Sequence, residues 1–196
     1  MIKKKFLIVV VIGPDGSGKT FLIDFLKKNF LKKNYSTQRI HLKPSLLKSK
    51  ITKVSNPHSK PVRSNLTSCL KLLFWLISYY TFFLINFFLR TKKIFFFDRY
   101  VHDIIVDPLR YRIKIDKKIL FILSLFPNPD FWCFMTGDPK KIWSRKKEVK
   151  FDILKIQLNK YRKLKKKFKN SLSISKRKQF PAVFRVLLKK YKFINK

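Results

Sequence analysis

Residues 13–20 read Gly-Pro-Asp-Gly-Ser-Gly-Lys-Thr, and this octet constrains the fold more than any other part of the chain. It satisfies G-x-x-x-x-G-K-[ST], in which a glycine-rich turn joins a buried strand to a helix and aims its backbone amides at an anion. The pattern carries weight only between such elements, and both are legible. Residues 6–12 form a continuous apolar, β-branched run suited to a strand covered on both faces. After the octet, Phe21, Leu22, Phe25, Leu26 and Phe30 recur at helical spacing with lysines between them. Three of the four glycines in the chain, Gly13, Gly16 and Gly18, fall inside these eight residues. Glycine is thus kept for a place where the backbone must turn inward. On this motif Lys19 reaches the β- and γ-phosphates of a nucleotide and the Thr20 hydroxyl ligates Mg²⁺, while the positive end of the following helix faces the anion. The expected nucleotide-binding set is Gly13, Asp15, Gly16, Ser17, Gly18, Lys19 and Thr20. Asp15 is the unusual member, because a carboxylate among phosphates repels them unless it faces elsewhere. It either faces a second substrate or caps a turn.

The 196 residues suit one α/β domain with a substantial core, so a single domain is expected over 1–196. Lys and Arg outnumber Asp and Glu 47 to 10, a formal charge of +37 that excludes an ordinary neutral surface. Such a chain attracts polyanions by counterion release whatever its function. The basic residues are spread along the whole sequence rather than gathered in an aromatic-interleaved module, so nucleic acid is not expected as a specific partner. Wholesale disorder is excluded by 21 Phe, 7 Tyr and 3 Trp. Cys69 and Cys133 lie apart without metal-ligand spacing, which supports neither a disulfide scaffold nor a zinc site and points to a reducing compartment.

Along the chain, strands are expected at 6–12, 35–42, 93–97, 131–135 and 172–174, and helices at 21–33, 72–89, 117–126, 139–143, 151–168 and 181–191. Residues 43–65, with Pro44, Pro57 and Pro61, read as a loop or flap. Alternation of strand and helix argues for a parallel sheet covered on both faces. Residues 72–89 are uncharged and long enough to cross a bilayer. Against a span stand Ser78, Tyr79, Tyr80, Thr81 and Asn86, and a single crossing would strand Thr20 and Asp98 on opposite sides. The stretch therefore reads, in preference to a span, as a helix buried in the protein or at a subunit interface, one face of which can make peripheral contact with an acidic membrane surface.

Three of the ten acids and three of the ten arginines fall between Asp98 and Arg112. Asp98 ends a strand whose carboxyl end is expected beside the phosphate loop, the crevice where open α/β sheets bind ligands. There it can hold the hydration shell of Mg²⁺ or position an acceptor. Arg99 offers a bidentate fork suited to phosphate. For Asp103, Asp107, Arg110 and Arg112, an internal ion-pair network and direct ligand contact remain equally open, and His102 reads as a hydrogen-bonded loop residue. Residues 139–150 read as a lid that brings Arg145, Lys146 and Lys147 over phosphates, or as a solvated charge run. Glu148, the sole glutamate in the chain, lies within that segment.

The octet at 13–20, FDRY at 97–100 continuing as VHDIIVDPLRYR, and SRKKE at 144–148 followed by Gln157 and Tyr161 together resemble the thymidylate kinase-like branch of the P-loop nucleoside monophosphate kinases. The resemblance runs from Ile8 to about Tyr161 and is looser at the lid. It implies a three-layer P-loop kinase fold with a parallel five-stranded sheet, and ATP with Mg²⁺ as phosphoryl donor. By analogy Lys19, Asp98, Arg99 and Arg145 form the catalytic set, with Thr20 and Asp98 at the metal. Asp15 would touch the acceptor sugar, Arg99 the acceptor phosphate, and Arg145 would act from the lid. Related kinases commonly pair through helices, which makes 72–89 the candidate surface of a homodimer. The basic segment 43–65 is unlike a compact thymidylate pocket. The readings to separate are a nucleoside monophosphate kinase in the cytoplasm, a kinase for a sugar or lipid-linked acceptor at a membrane face, and a basic nucleic-acid-binding ATPase.

Overall fold

The computed structural model describes residues 4–44 and 61–194. Most of the flap expected at 43–65 therefore lies outside the described residues. Strands β1 (Leu7–Ile12), β2 (Thr37–His41), β3 (Ile94–Asp98), β4 (Phe131–Met135) and β5 (Ser171–Ile174) form one sheet in the order β2-β3-β1-β4-β5, each neighbouring pair parallel. The connecting helices among the described residues are α1 (Lys19–Leu31), α2 (Asn65–Phe88), α3 (Asp103–Val106), α4 (Lys117–Ser124), α5 (Pro139–Arg145), α6 (Phe151–Lys165) and α7 (Phe180–Ile194). Every expected strand and helix is present within a few residues of its expected bounds except α2, which starts seven residues earlier than expected. The Ser64 hydroxyl accepts the Thr67 N–H at 3.3 Å and caps that start. Hydrophobic periodicity could not show the turn, because the capping side chain rather than burial fixes it.

Pleating sorts the strand residues into two cores. Ile8, Val10, Ile12, Phe95, Phe97, Trp132 and Phe134 pack with residues of α2, α4 and α6 on one face. Leu7, Val9, Val11, Ile94, Phe96, Cys133 and Met135 pack against α1 and α7 on the other. Both faces being covered explains why β1, β3 and β4 read as unbroken apolar runs, with every residue of each buried. Cys69 and Cys133 are both free thiols.

Helix α2 is long and apolar enough to span a membrane, yet β1 before it and β3 after it are hydrogen-bonded neighbours from Leu7/Ile94 to Val11/Asp98. The chain on either side of α2 thus lies in one sheet. The expectation of a buried helix holds for one stripe only: Ser68, Leu72, Trp75 and Tyr79 are buried, whereas Phe74, Ile77 and Phe88 are 58%, 61% and 69% exposed.

Candidate active site

The strand order brings the carboxyl ends of β1 and β3 side by side, so the loop after β1 and the residues after β3 share one edge. Val11 lies opposite Asp98, and the Arg99 N–H donates to the Val11 carbonyl at 3.0 Å. The phosphate loop wraps over this edge into α1. Gly16 has φ +78°, and a Cβ there would stand 2.8 Å from the Ile142 carbonyl of α5 and 3.2 Å from the Lys146 Cβ. Residues 142–146 therefore rest directly on the loop at a glycine, where a side chain is absent. Gly16→Ala is expected to lower stability by about 1–2 kcal/mol from the left-handed backbone alone, and to weaken nucleotide binding by pushing the lid off. Urea melts and ADP titration check both effects.

Lys19 is buried and folds back over the loop, its Nζ donating to the carbonyls of Gly13 (2.9 Å) and Pro14 (2.8 Å) and lying 3.2 Å from Asp15 Oδ1. Burial, reinforced by the Arg99 charge and opposed by nearby carboxylates, lowers its pKa to about 8. The Ser17 hydroxyl is buried without a hydrogen-bond partner among the described residues. An anion in the loop gives both groups an acceptor.

Asp15 turns away from the loop interior toward Arg99, Arg110 (2.8 Å) and Lys146 (3.6 Å). Burial pushes its carboxyl up, but the Glu148 hydrogen bond and the charges of Arg99, Lys19 and Arg110 outweigh burial and hold it well below the carboxylate range. Glu148 moves the other way, raised by its burial and by the hydrogen bond and charge of Asp15. Arg110 stands 3.4 Å from Glu148, so this guanidinium ties the loop to the 139–150 segment.

Arg99 is almost fully buried with φ +74°, and its fork is committed to Asp103 and Asp15. It does not present the open fork that the motif led us to expect. The completely buried Asp103 also accepts the hydroxyls of Tyr111 (2.7 Å) and Tyr161. Of the two readings for this cluster, Asp103 fits the internal network and Arg110 faces the cleft. Arg112 is turned elsewhere, its Nε donating to the Pro61 carbonyl at 2.9 Å. His102 departs from its expected hydrogen-bonded state. Its ring stacks on Tyr100 and meets the edges of Trp132 and Phe168, Nδ1 has no partner among the described residues, and burial lowers its pKa to about 4. It is a neutral core residue.

A cleft of about 810 Å³ gathers Gly16, Gly18, Lys19 and Thr20 with Arg39, His41, Asp98, Arg110, Arg145 and Lys146. Arg145, the last residue of α5, is exposed at its rim. The Thr20 hydroxyl and the Asp98 carboxylate meet here, and Asp98 Oδ1 is buried with no hydrogen-bond partner among the described residues. Hydroxyl and carboxylate oxygens with one of them unsatisfied fit a hard divalent cation such as Mg²⁺. Among the described residues no three His, Cys, Asp or Glu side chains form a metal cage. A metal here would complete its shell with phosphate oxygens and water.

No protein-family profile and no curated protein sequence matches the chain. Solved structures do match it. The thymidylate kinase of Candida albicans aligns with a TM-score of 0.60 at 15% identity, over 97% of this chain and 92% of that one. The deoxyadenosine kinase of M. mycoides, a structure with dCMP and dCDP bound, aligns at 0.53 and 12% identity, over 95% and 99%. The chain has the P-loop kinase fold. Within that fold, sequence reasoning missed Arg39, which donates to Thr20 Oγ1 at 3.2 Å and to Asp98 Oδ2. Its signal was faint: an arginine on a polar edge strand, two residues before His41 on the same face. The contacts of Tyr111 and Tyr161 with Asp103 were missed as well, because phenolic partners leave no spacing rule in a sequence.

Proposed function

We propose that the chain transfers the γ-phosphoryl group of ATP to a small acceptor, most simply a nucleoside monophosphate such as dTMP. The observation that carries this reading is the meeting of a complete phosphate loop and a strand-end carboxylate, Asp98, in one cleft large enough for two ligands. The acceptor oxygen attacks the γ-phosphorus, the bond to the β–γ bridging oxygen breaks, and ADP leaves. Positioning and charge neutralisation supply most of such catalysis. Lys19, released from the loop carbonyls, holds the β- and γ-phosphates. Thr20 and Asp98 would hold Mg²⁺, which would supply positive charge against that developing on the phosphate oxygens. Asp15, turned out of the loop, and Arg110 face the acceptor side. Arg99 fixes Asp15 from behind, and Arg145 acts from the lid rim.

The exposed apolar stripe of α2, extended by Phe121 of α4 at 65% exposure, favours a second reading in which the acceptor is a sugar or lipid-linked molecule met at a membrane face. We place the protein in the cytoplasm on the first reading and at the acidic membrane surface on the second. Purified protein incubated with ATP, Mg²⁺ and a panel of nucleoside monophosphates and phosphosugars separates them. Acceptor-dependent ADP with a nucleotide supports the first reading, and with a phosphosugar stimulated by acidic vesicles the second. No acceptor-dependent ADP from any member counts against both.

A further inference from the structure

We propose that Arg39 is the resident cation of the metal position: its guanidinium bridges the Thr20 hydroxyl and the Asp98 carboxylate, and a divalent cation enters only as Arg39 moves to Asp24. This rests on the loop being a nucleotide site and identifies a positioning residue that sets the metal dependence of that site.

Three observations carry it. Nη2 of Arg39 donates to Thr20 Oγ1 at 3.2 Å and to Asp98 Oδ2, so one donor joins the two groups whose oxygens suit a divalent cation. A metal ion bound to that hydroxyl and to Asp98, whose Oδ1 has no partner among the described residues, competes with Arg39 at Thr20 and sits beside its guanidinium, and two positive charges so close repel strongly. Second, the fork already has another place to go. Nη1 lies 3.8 Å from Asp24 Oδ1, a carboxylate on the exposed face of α1 whose side chain is 61% exposed. Third, the strand makes the exchange feasible. In β2 only Ile40 is buried, and Arg39 projects from the opposite face at the edge of the sheet with its side chain 32% exposed. It can swing between the two carboxylates without opening the core. An arginine suits this role because its charge persists at every working pH and its planar fork spans two acceptors at once. His41, the next residue on that face, stands 3.9 Å from Asp98 Oδ2 and has its pKa lowered, mainly by burial, so it is a weaker competitor for the carboxylate.

The consequence is an unusual metal response. Arg39 supplies positive charge beside the phosphates when no metal is present, and its departure opposes metal entry. The nucleotide affinity of the natural protein should therefore gain little from Mg²⁺. The test is the ratio of ADP affinities measured by calorimetry with Mg²⁺ and with EDTA. Arg39→Gln is expected to bind ADP more weakly in EDTA and to raise that ratio about tenfold or more above the natural protein. Arg39→Lys, which keeps the charge without the fork, is expected to give an intermediate ratio. Asp24→Asn removes the alternative partner from an exposed position and is expected to lower the ratio about threefold. It also decides the matter should Arg39→Gln fail to fold. Ratios unchanged in Arg39→Gln, or in Asp24→Asn where that variant alone is folded, overturn the proposal while ADP binding itself leaves the nucleotide reading standing. Failure of the natural protein to bind ADP under either condition overturns both.

Discussion

On the proposed kinase reading, Lys19→Ala is expected to lower kcat for phosphoryl transfer about 10²–10³-fold or more, the loss seen when one preorganised donor is removed from a site where charge develops. The substitution removes the loop side chain proposed to carry positive charge to the β- and γ-phosphates. This ammonium is satisfied by the carbonyls of Gly13 and Pro14 and by Asp15. Phosphate exchanges those partners rather than rescuing an orphan. The exchange has a pH signature. With a pKa of about 8 in the free protein, Lys19 is charged at neutral pH and loses its proton as the pH rises through that value. Binding a phosphate anion favours the charged form, so above about pH 8 binding must also take up a proton, and ADP affinity falls with further increase. In Lys19→Ala that fall disappears. The variant changes the formal charge of +37 by a single unit, so binding to heparin or nucleic acid should be unchanged. Parallel loss of polyanion binding would instead support the nucleic-acid-binding reading.

Asp103→Ala is expected to destabilise the protein by about 3–5 kcal/mol, the range for breaking a buried ion pair by removing one partner. Asp103 is completely buried and accepts from Arg99, Tyr111 and Tyr161. Its loss leaves the Arg99 guanidinium charged and nearly solvent-free, and two phenols without their acceptor. Burial, and then the Asp103 charge, raises the pKa of both tyrosines far above the usual range, so they remain donors. The damage should reach the site, because Arg99 also positions Asp15. Urea unfolding measures the effect. Asp152→Ala is the control: its carboxylate is 86% exposed in a pair with Lys155 at 3.3 Å, and such pairs contribute at most about 1 kcal/mol.

Those two residues mark where the sequence speaks and where it is silent. Lys19 and its loop were readable because the chemistry is backbone chemistry. Glycines, a strand before them and a helix after them specify the cradle locally. The placement of Asp98 followed from one further rule, that parallel strands end on the ligand side of the sheet, and the Val11–Asp98 register bears it out. The commitment of Arg99 to Asp103 and Asp15 was not readable, since a free fork and a buried fork share one letter in the sequence. The place of His102 in an aromatic box depends on Trp132 and Phe168, far along the chain. Arg39 needed the pairing of β2 with β3 before its reach to Asp98 had meaning. For His102, Arg39 and the Arg99–Asp15 pair the missing information was a long-range contact, while local patterning sufficed for the strands and for the helices other than α2, whose first two turns rest on a serine cap, and the short α3, which was not expected.

The central claim is that residues 13–20 grip a nucleotide triphosphate beside Asp98. A crystal structure of the protein with a non-hydrolysable ATP analogue and Mg²⁺ tests it most directly. The account predicts the β- and γ-phosphates seated on the loop amides, Lys19 turned from its carbonyl partners onto them, and the metal between Thr20 and Asp98. An analogue bound elsewhere, or a loop left empty with Lys19 still folded onto Gly13 and Pro14, would contradict it.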